Sequence, residues 1–410
     1  MGRTRFGFLT LACLTLAFRC GAADWTVLDP WQETVTREQF QKLVDEVYCP
    51  SGALTNYLEF TNSAVRVFST ADHQGAPLYE LKFGDGNRAH WVKPAFKTLD
   101  DVHQLHNPTN APLRDIRIVL DPGHIGGEWA RMEERFFQLN KHDRPVQEAV
   151  LTLMVARLLK PQLEAAGATV LLTKNDFQPV TESRPDDFFT EARLSVLQSG
   201  GFDGWPELDR EAGIADAIRK RQEELFYRSA EIAARAKLVN EKLKPDLTVC
   251  IHVNAVGWND HYELVDDDRL VVFVHGCYLP NEVADDDQKL RLFRKLLEGS
   301  HPVELAAAES VAQTLAEATK LPAVEYGKGS GAIRCGSNSF VYARNLAANR
   351  LVDGPVIFLE PYYQNNRLVY QRIQLGDYEG TREIEGHSYP SLFREYADAV
   401  AKGLIGFYSR

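Results

Sequence analysis

The decapeptide IVLDPGHIGG, residues 118–127, joins an apolar, β-branched run to Asp-Pro-Gly and a histidine. Ile118, Val119 and Leu120 favour a buried strand, whereas Pro122 and Gly123 cannot continue one and turn the chain. His124 is thereby placed just past a strand end, where open α/β sheets build their sites. Taken alone, the same residues read equally well as a turn carrying a solvated histidine. The recurrence of the pattern downstream decides between the two readings.

Working outward, a polar segment at 128–144 leads to an amphipathic helix beginning near Pro145. Its Val150, Leu151, Met154, Val155, Leu158, Leu159 and Leu163 recur at helical spacing, and Gly167 ends it. Residues 168–173 form a second apolar run, so the segment reads as a βαβ unit and predicts a largely parallel sheet. Further strands are expected at 246–251, 270–274 and 355–359, with helices at 223–242, 305–319 and 392–407. The fold class is α/β: a three-layer αβα arrangement around a mostly parallel mixed sheet. Residues 177–222, with Pro, Asp, Gly and a few aromatics, are too long for an ordinary connection and read as an insertion over the site. A second insertion is placed at 280–300, where Asp285, Asp286 and Asp287 read as a solvated loop.

Residues 24–112 have a composition of their own. A helix at 36–47, N-capped by Thr36, and short strands at 54–60, 64–69 and 78–83 predict a small N-terminal α+β unit, and 107–112 reads as a linker to a larger domain at 113–410. The start of the chain carries Arg3 and Arg5, an apolar run at 6–18 and the small residues Gly21, Ala22 and Ala23, the three regions of a secretory signal peptide at 1–23. That implies an exported chain, periplasmic or extracellular, with no membrane attachment after cleavage. Cys20 follows Arg19 rather than the small residue that a lipidated cysteine requires.

At 410 residues with 44% hydrophobic content the chain suits a soluble globular protein, and a net charge of -11 argues against nucleic acid or anionic lipid as a partner. Cys49, Cys250, Cys277 and Cys335, which remain after signal cleavage, are too few for a disulfide framework. One bridge is compatible with an oxidising compartment; Cys250, inside an apolar strand, reads as a buried thiol.

Three strand runs thus end in a polar group, His124, His252 and Glu360, and Glu148 stands in the first turn of the helix that follows the opening strand. In a parallel sheet these ends share one edge. Two histidines and carboxylates converging there match a catalytic zinc site, which takes three protein ligands and leaves a position open. Four groups exceed three ligands, so one carboxylate is free for acid and base work. Glu133, Glu134 and His142 compete for the metal on proximity in sequence. Neither an HExxH helix nor a GxSxG elbow is present. Cys250 and His252 share a strand face, although a mid-strand cysteine is more often core than nucleophile.

These residues carry a resemblance. LDPGHIGG from Leu120, Glu148 with the helix and strand after it, DLTVCIHVNA from Asp246 and GPVIFLEPYYQN from Gly354 are similar, in order and surroundings, to the zinc-dependent N-acetylmuramoyl-L-alanine amidases of the amidase-3 family, over roughly 114–401. The resemblance implies one zinc ion held by His124, Glu148 and His252, with Glu360 as the catalytic carboxylate, and peptidoglycan or muropeptides as substrate. It implies hydrolysis of the amide between N-acetylmuramic acid and L-alanine; the insertions at 177–222 and 280–300 are read as narrowing access, selecting a substrate, or holding the enzyme inactive until a protein activator moves them. Leu225 and Arg228 resemble the family's Leu-x-x-Arg segment, and 310–319, with Leu315 and Ala316, the helix before the catalytic strand. Three departures stand out: Ile125 replaces a glycine, Lys174 replaces an arginine, and the interval from His124 to Glu148 is long. A zinc hydrolase of another amide or muropeptide, and a wall-binding or regulatory protein with a degenerate site, are the competing readings.

Overall fold

The structure, a computed structural model, describes residues 23–86, 92–201, 207–257, 263–327 and 329–409. The signal-peptide expectation falls on 1–22 and, except for Ala23, lies outside the described residues. No helix among the described residues is long and apolar enough to cross a membrane.

Near the N-terminus, β1 (Leu58–Phe60), β2 (Ala64–Val67) and β3 (Tyr79–Lys82) form an antiparallel sheet. The helix before them, Arg37–Leu43, starts at a capping box in which Thr36 and Gln39 satisfy each other's backbone N–H groups. The chain then builds β4 (Arg117–Pro122), a short hairpin of β5 (Phe136–Phe137) and β6 (Val146–Gln147), β7 (Thr169–Leu172), β8 (Leu247–Ile251), β9 (Leu270–His275), β10 (Ala332–Arg334), β11 (Val341–Arg344) and β12 (Val356–Pro361). The main sheet has seven strands in the order β10-β11-β9-β12-β8-β4-β7. The β4/β7, β4/β8, β8/β12 and β9/β11 pairings are parallel, and β9/β12 and β10/β11 antiparallel. This is the mostly parallel mixed sheet expected.

Strand residues alternate between two cores, as the period of two requires. Ile118, Leu120, Val249, Ile251, Ile357 and Leu359 face the helices Glu148–Ala165, His301–Thr319 and Leu392–Tyr408. Val119, Cys250, Val271, Phe273 and Phe358 face the other way, against Ala236 and Val239 of the Glu231 helical segment and against Tyr342 and Val352. Helix layers on both faces make the sandwich.

Several boundaries differ from the sequence reading. The helix expected from Pro145 starts at Glu148, because Val146 and Gln147 pair with the strand Phe136–Phe137. The segment 177–222 is largely helical, with Phe189–Ser199 packed on Glu207–Glu224 through Ala192, Val196, Ile218 and Leu225. The segment 280–300 is also helical, and Asp285 is the N-cap of Asp286–Glu298 rather than part of a solvated loop. That helix is the platform for the N-terminal unit: Phe293 packs on Trp25 and Phe40, and Ser69 hydrogen-bonds Asp286. The residues of 24–86 share one continuous apolar core with the α/β layers.

Candidate active site

The register of the sheet brings the site together. Ile251 of β8 is level with Pro122 of β4 on one side and Leu359 of β12 on the other, so His252, Gly123 and Glu360 occupy the same tier. Backbone hydrogen bonds continue one step past the strands, from Gly123 N–H to Ile251 O (2.9 Å) and from His252 N–H to Leu359 O (3.0 Å). His124 then adopts a left-handed backbone conformation (φ 63°), which swings its ring over the sheet edge. Glu148, the first residue of its helix, is brought back to the same place by the β5–β6 hairpin.

His124, Glu148 and His252 each offer a ligand atom, and these atoms all lie within 4.8 Å of one another. His124 Nε2 is 3.2 Å from Glu148 Oε2, and His252 Nδ1 is 3.1 Å from Glu148 Oε1. The Glu148 carboxylate is deeply buried and also accepts from Val253 N–H (3.2 Å) and Gln364 Nε2 (3.4 Å), with Arg135 Nε at 3.3 Å. Burial works to raise its pKa, but the two histidines hold it well below the usual carboxylate range. The His124 imidazole, although burial works against its charged form, is pushed up to about 9 by Glu148 and Glu133. His252 is lowered by burial. Two imidazoles and one carboxylate fit zinc, which prefers nitrogen donors with an open fourth position.

Glu360 lies beside this trio. It lines a cavity of about 160 Å³ together with His124, Arg135, Glu148, Asn254 and Gln364. Burial, and then the charge of Glu148, push its carboxyl up to about 8 against the pull of Arg344, His124 and Arg135. A buried carboxyl of that basicity can hold or release a proton near neutrality.

The competing groups separate. Glu134 is exposed near Arg228 and His142 is exposed, while Glu133 is buried but stands outside the ligand trio, on the far nitrogen of His124. Cys250 gives its thiol to Asp121 (3.8 Å), and burial beside that carboxylate raises it well above the ordinary range, which removes it as a nucleophile. Cys49, Cys250, Cys277 and Cys335 are free thiols. Leu315 is a core residue under the sheet.

Two departures find physical reasons. Ile125 is fully buried against Phe226 and Tyr227, so its side chain fills a hydrophobic pocket instead of crowding the site. Lys174 reaches back to donate to the carbonyl of His124.

Arg235, which the sequence reading did not single out, donates to the same carbonyl (2.8 Å), to Pro122 O (2.9 Å) and to Asp121 (3.3 Å), while ion-pairing with Glu231. Arg228, expected to matter, instead donates to the neighbouring Tyr227 hydroxyl. No periodicity singles out Arg235, because its buried face also carries the charge of Glu231 four residues earlier. Arg135 and Gln364 were also missed, because loop path rather than periodicity carries them to the cavity.

Fold and site together define the class: an α/β protein with two histidines and a glutamate clustered so that they could hold a metal ion at the carboxyl edge of its sheet, and a further carboxylate beside them. No family model matches the chain. Over 91 residues it is 41% identical to the probable cell wall amidase LytH of Staphylococcus saprophyticus, a match covering 22% of this chain and 28% of that relative. The chain thus spans less than a third of the curated relative it matches. Among solved structures it is similar to the N-acetylmuramyl-L-alanine amidase Ami1 of Mycobacterium smegmatis, at 15% identity and TM-score 0.39 over 72% of this chain and 98% of that one. It is also similar to the CwlD amidase of Clostridioides difficile, solved in complex with the GerS lipoprotein, at 13% identity and TM-score 0.38 over 72% and 99%. Each of these relatives is named as an amidase. Structural likeness at these TM-scores carries no argument about activity.

Proposed function

We propose that this chain is an exported zinc-dependent hydrolase that cleaves the amide bond between N-acetylmuramic acid and L-alanine in peptidoglycan. The observation that carries the reading is the meeting of His124, Glu148 and His252 within 4.8 Å of one another, with Glu360 lining the same cavity. The local identity to a cell wall amidase supports the substrate class. His124, Glu148 and His252 would hold the ion. Zinc bound there supplies a Lewis acid that polarises the scissile carbonyl and acidifies water.

The chain's own residues do the rest. Glu360, made basic by burial beside Glu148, takes the proton of the water that adds to the lactyl carbonyl carbon and returns it to the L-alanine nitrogen as the C–N bond breaks. Lys174 and Arg235 hold the His124 carbonyl and so fix the turn that aims the ring. A protein activator is a further expected partner.

The test is digestion of purified peptidoglycan, with products identified by mass. Stem peptides with a free L-alanine amino terminus are expected, and a chelator stops their release. Glu360→Gln retains zinc and loses turnover by about 10²–10⁴-fold, the usual weight of a general base; His252→Ala loses both zinc and turnover. Activity that survives complete metal removal, or full activity in Glu360→Gln, overturns the reading.

A further inference from the structure

The interval between His124 and Glu148 does more than span a distance. A turn through Gly127–Trp129 folds it back, closed by Glu133 N–H donating to Trp129 O (3.0 Å), and returns Glu133 to the underside of His124. We infer that Glu133 is an outer carboxylate of the metal centre, a positioning residue that holds the His124 ring with Nε2 turned toward Glu148. The inference rests on reading His124, Glu148 and His252 as zinc ligands.

Glu133 is only 3% exposed. A carboxylate taken so far out of water costs several kcal/mol unless fixed partners replace its hydration. Its partners are specific: Oε2 accepts from Ile125 N–H (2.9 Å), and Oε1 lies 3.7 Å from His124 Nδ1.

A ligating imidazole must keep the lone pair of the metal-facing nitrogen free, which puts the hydrogen on the other nitrogen. For His124 the nitrogen facing Glu148 is Nε2, and the one facing Glu133 is Nδ1. A carboxylate on the Nδ1 side selects that tautomer and makes the imidazole a stronger donor. His252 is fixed differently, by stacking on Phe358 at 4.1 Å and 16° and by the absence of a side chain at Gly123. The two histidines therefore differ: one is held electrostatically, the other by packing.

The test measures zinc affinity of the full chain by competition with a chelator, and the absorption spectrum after cobalt(II) replaces zinc. Glu133→Ala is expected to bind zinc about 10–100-fold more weakly, the usual effect of losing an outer-shell partner, with an altered cobalt spectrum. Glu133→Gln keeps the side-chain size and one acceptor oxygen, enough for the Ile125 N–H, but loses the charge and the second acceptor; it is expected between Glu133→Ala and wild type, a rescue that a merely structural role for the carboxylate would not order this way. Wild-type affinity and spectrum in Glu133→Ala overturn the inference while leaving the zinc reading intact. If that variant does not fold, wild-type affinity and spectrum in Glu133→Gln overturn it equally. A wild-type protein that binds no zinc overturns both.

Discussion

Gly123 has no room for a side chain. A Cβ built there meets Cε1, Nδ1 and Nε2 of His252 at 2.3, 2.5 and 2.7 Å, and the ring cannot easily retreat, because it is stacked on Phe358 and its own carbonyl accepts from the Tyr396 hydroxyl (3.1 Å). The glycine after Asp-Pro is thus a condition of the site as well as a turn residue. Gly123→Ala is expected to cost about 1–3 kcal/mol through overpacking, and to displace His252 enough to weaken zinc binding by about 10-fold or more, as disturbed ligand support does. Urea unfolding and chelator competition measure the two effects separately. Unchanged zinc affinity would mean that His252 has freedom the packing denies it. The neighbouring position shows the opposite case: Ile125, where the resemblance expects glycine, has its side chain buried between Phe226 and Tyr227, and its N–H, bonded to Glu133, serves the centre.

At the scale of elements, what was legible in the sequence follows burial. β4, β8 and β12 are buried on both faces and therefore read as unbroken apolar runs, and the Glu148 and Leu392 helices carry apolar stripes. Because the three strand ends share an edge, His124, His252 and Glu360 were legible with them. The helix Glu207–Glu224 was not, since its apolar stripe is short, Ile214, Ala217 and Ile218, and lies within a strongly charged stretch. β10 and β11 are short, and Glu133, Arg135 and Gln364 reach the site along loops, for which no periodicity exists. The helix Asp286–Glu298 is the sharpest revision, from an insertion with a solvated acidic loop to a platform for the N-terminal unit. Phe293, fully buried, has its ring 5.8 Å from Trp25 and 5.3 Å from Phe40. Phe293→Ala is expected to lower stability by about 3–5 kcal/mol, the usual cost of emptying an aromatic core position, and to raise protease sensitivity within 24–86 first. A loss below 1 kcal/mol would show that the unit does not depend on this contact.

At the scale of the molecule, the seam between the N-terminal unit and the α/β layers is polar at its centre. Tyr48 comes from one side, and His275, Tyr278, Lys295, Glu298, His301, Glu304 and Cys335 come from the other. Nδ1 of both histidines, Ser300 Oγ and Glu304 Oε2 are buried without a hydrogen-bond partner among the described residues. Burial pushes the His301 imidazole down to about 4, and burial with the Lys295 and Arg350 charges holds His275 well below the ordinary value. The sign follows from which state binds the proton. Above about pH 6.5, the ordinary histidine value, folded and unfolded chains both carry neutral His301 and it contributes no pH dependence. Below that value the unfolded chain takes up a proton that the folded chain refuses until about pH 4, so stability falls through this window and levels off beneath it. Burial raises Glu298 and Glu304, which acts in the opposite direction, so the wild-type profile alone does not isolate the histidine. The difference between wild type and His301→Gln does. Unfolding free energies measured from pH 7 to pH 4 are expected to diverge by about 1.4 kcal/mol per pH unit, with wild type losing about 3 kcal/mol more than the variant across the window. Parallel profiles would mean that His301 reaches a compensating partner on protonation, and that acid does not loosen the seam through this residue.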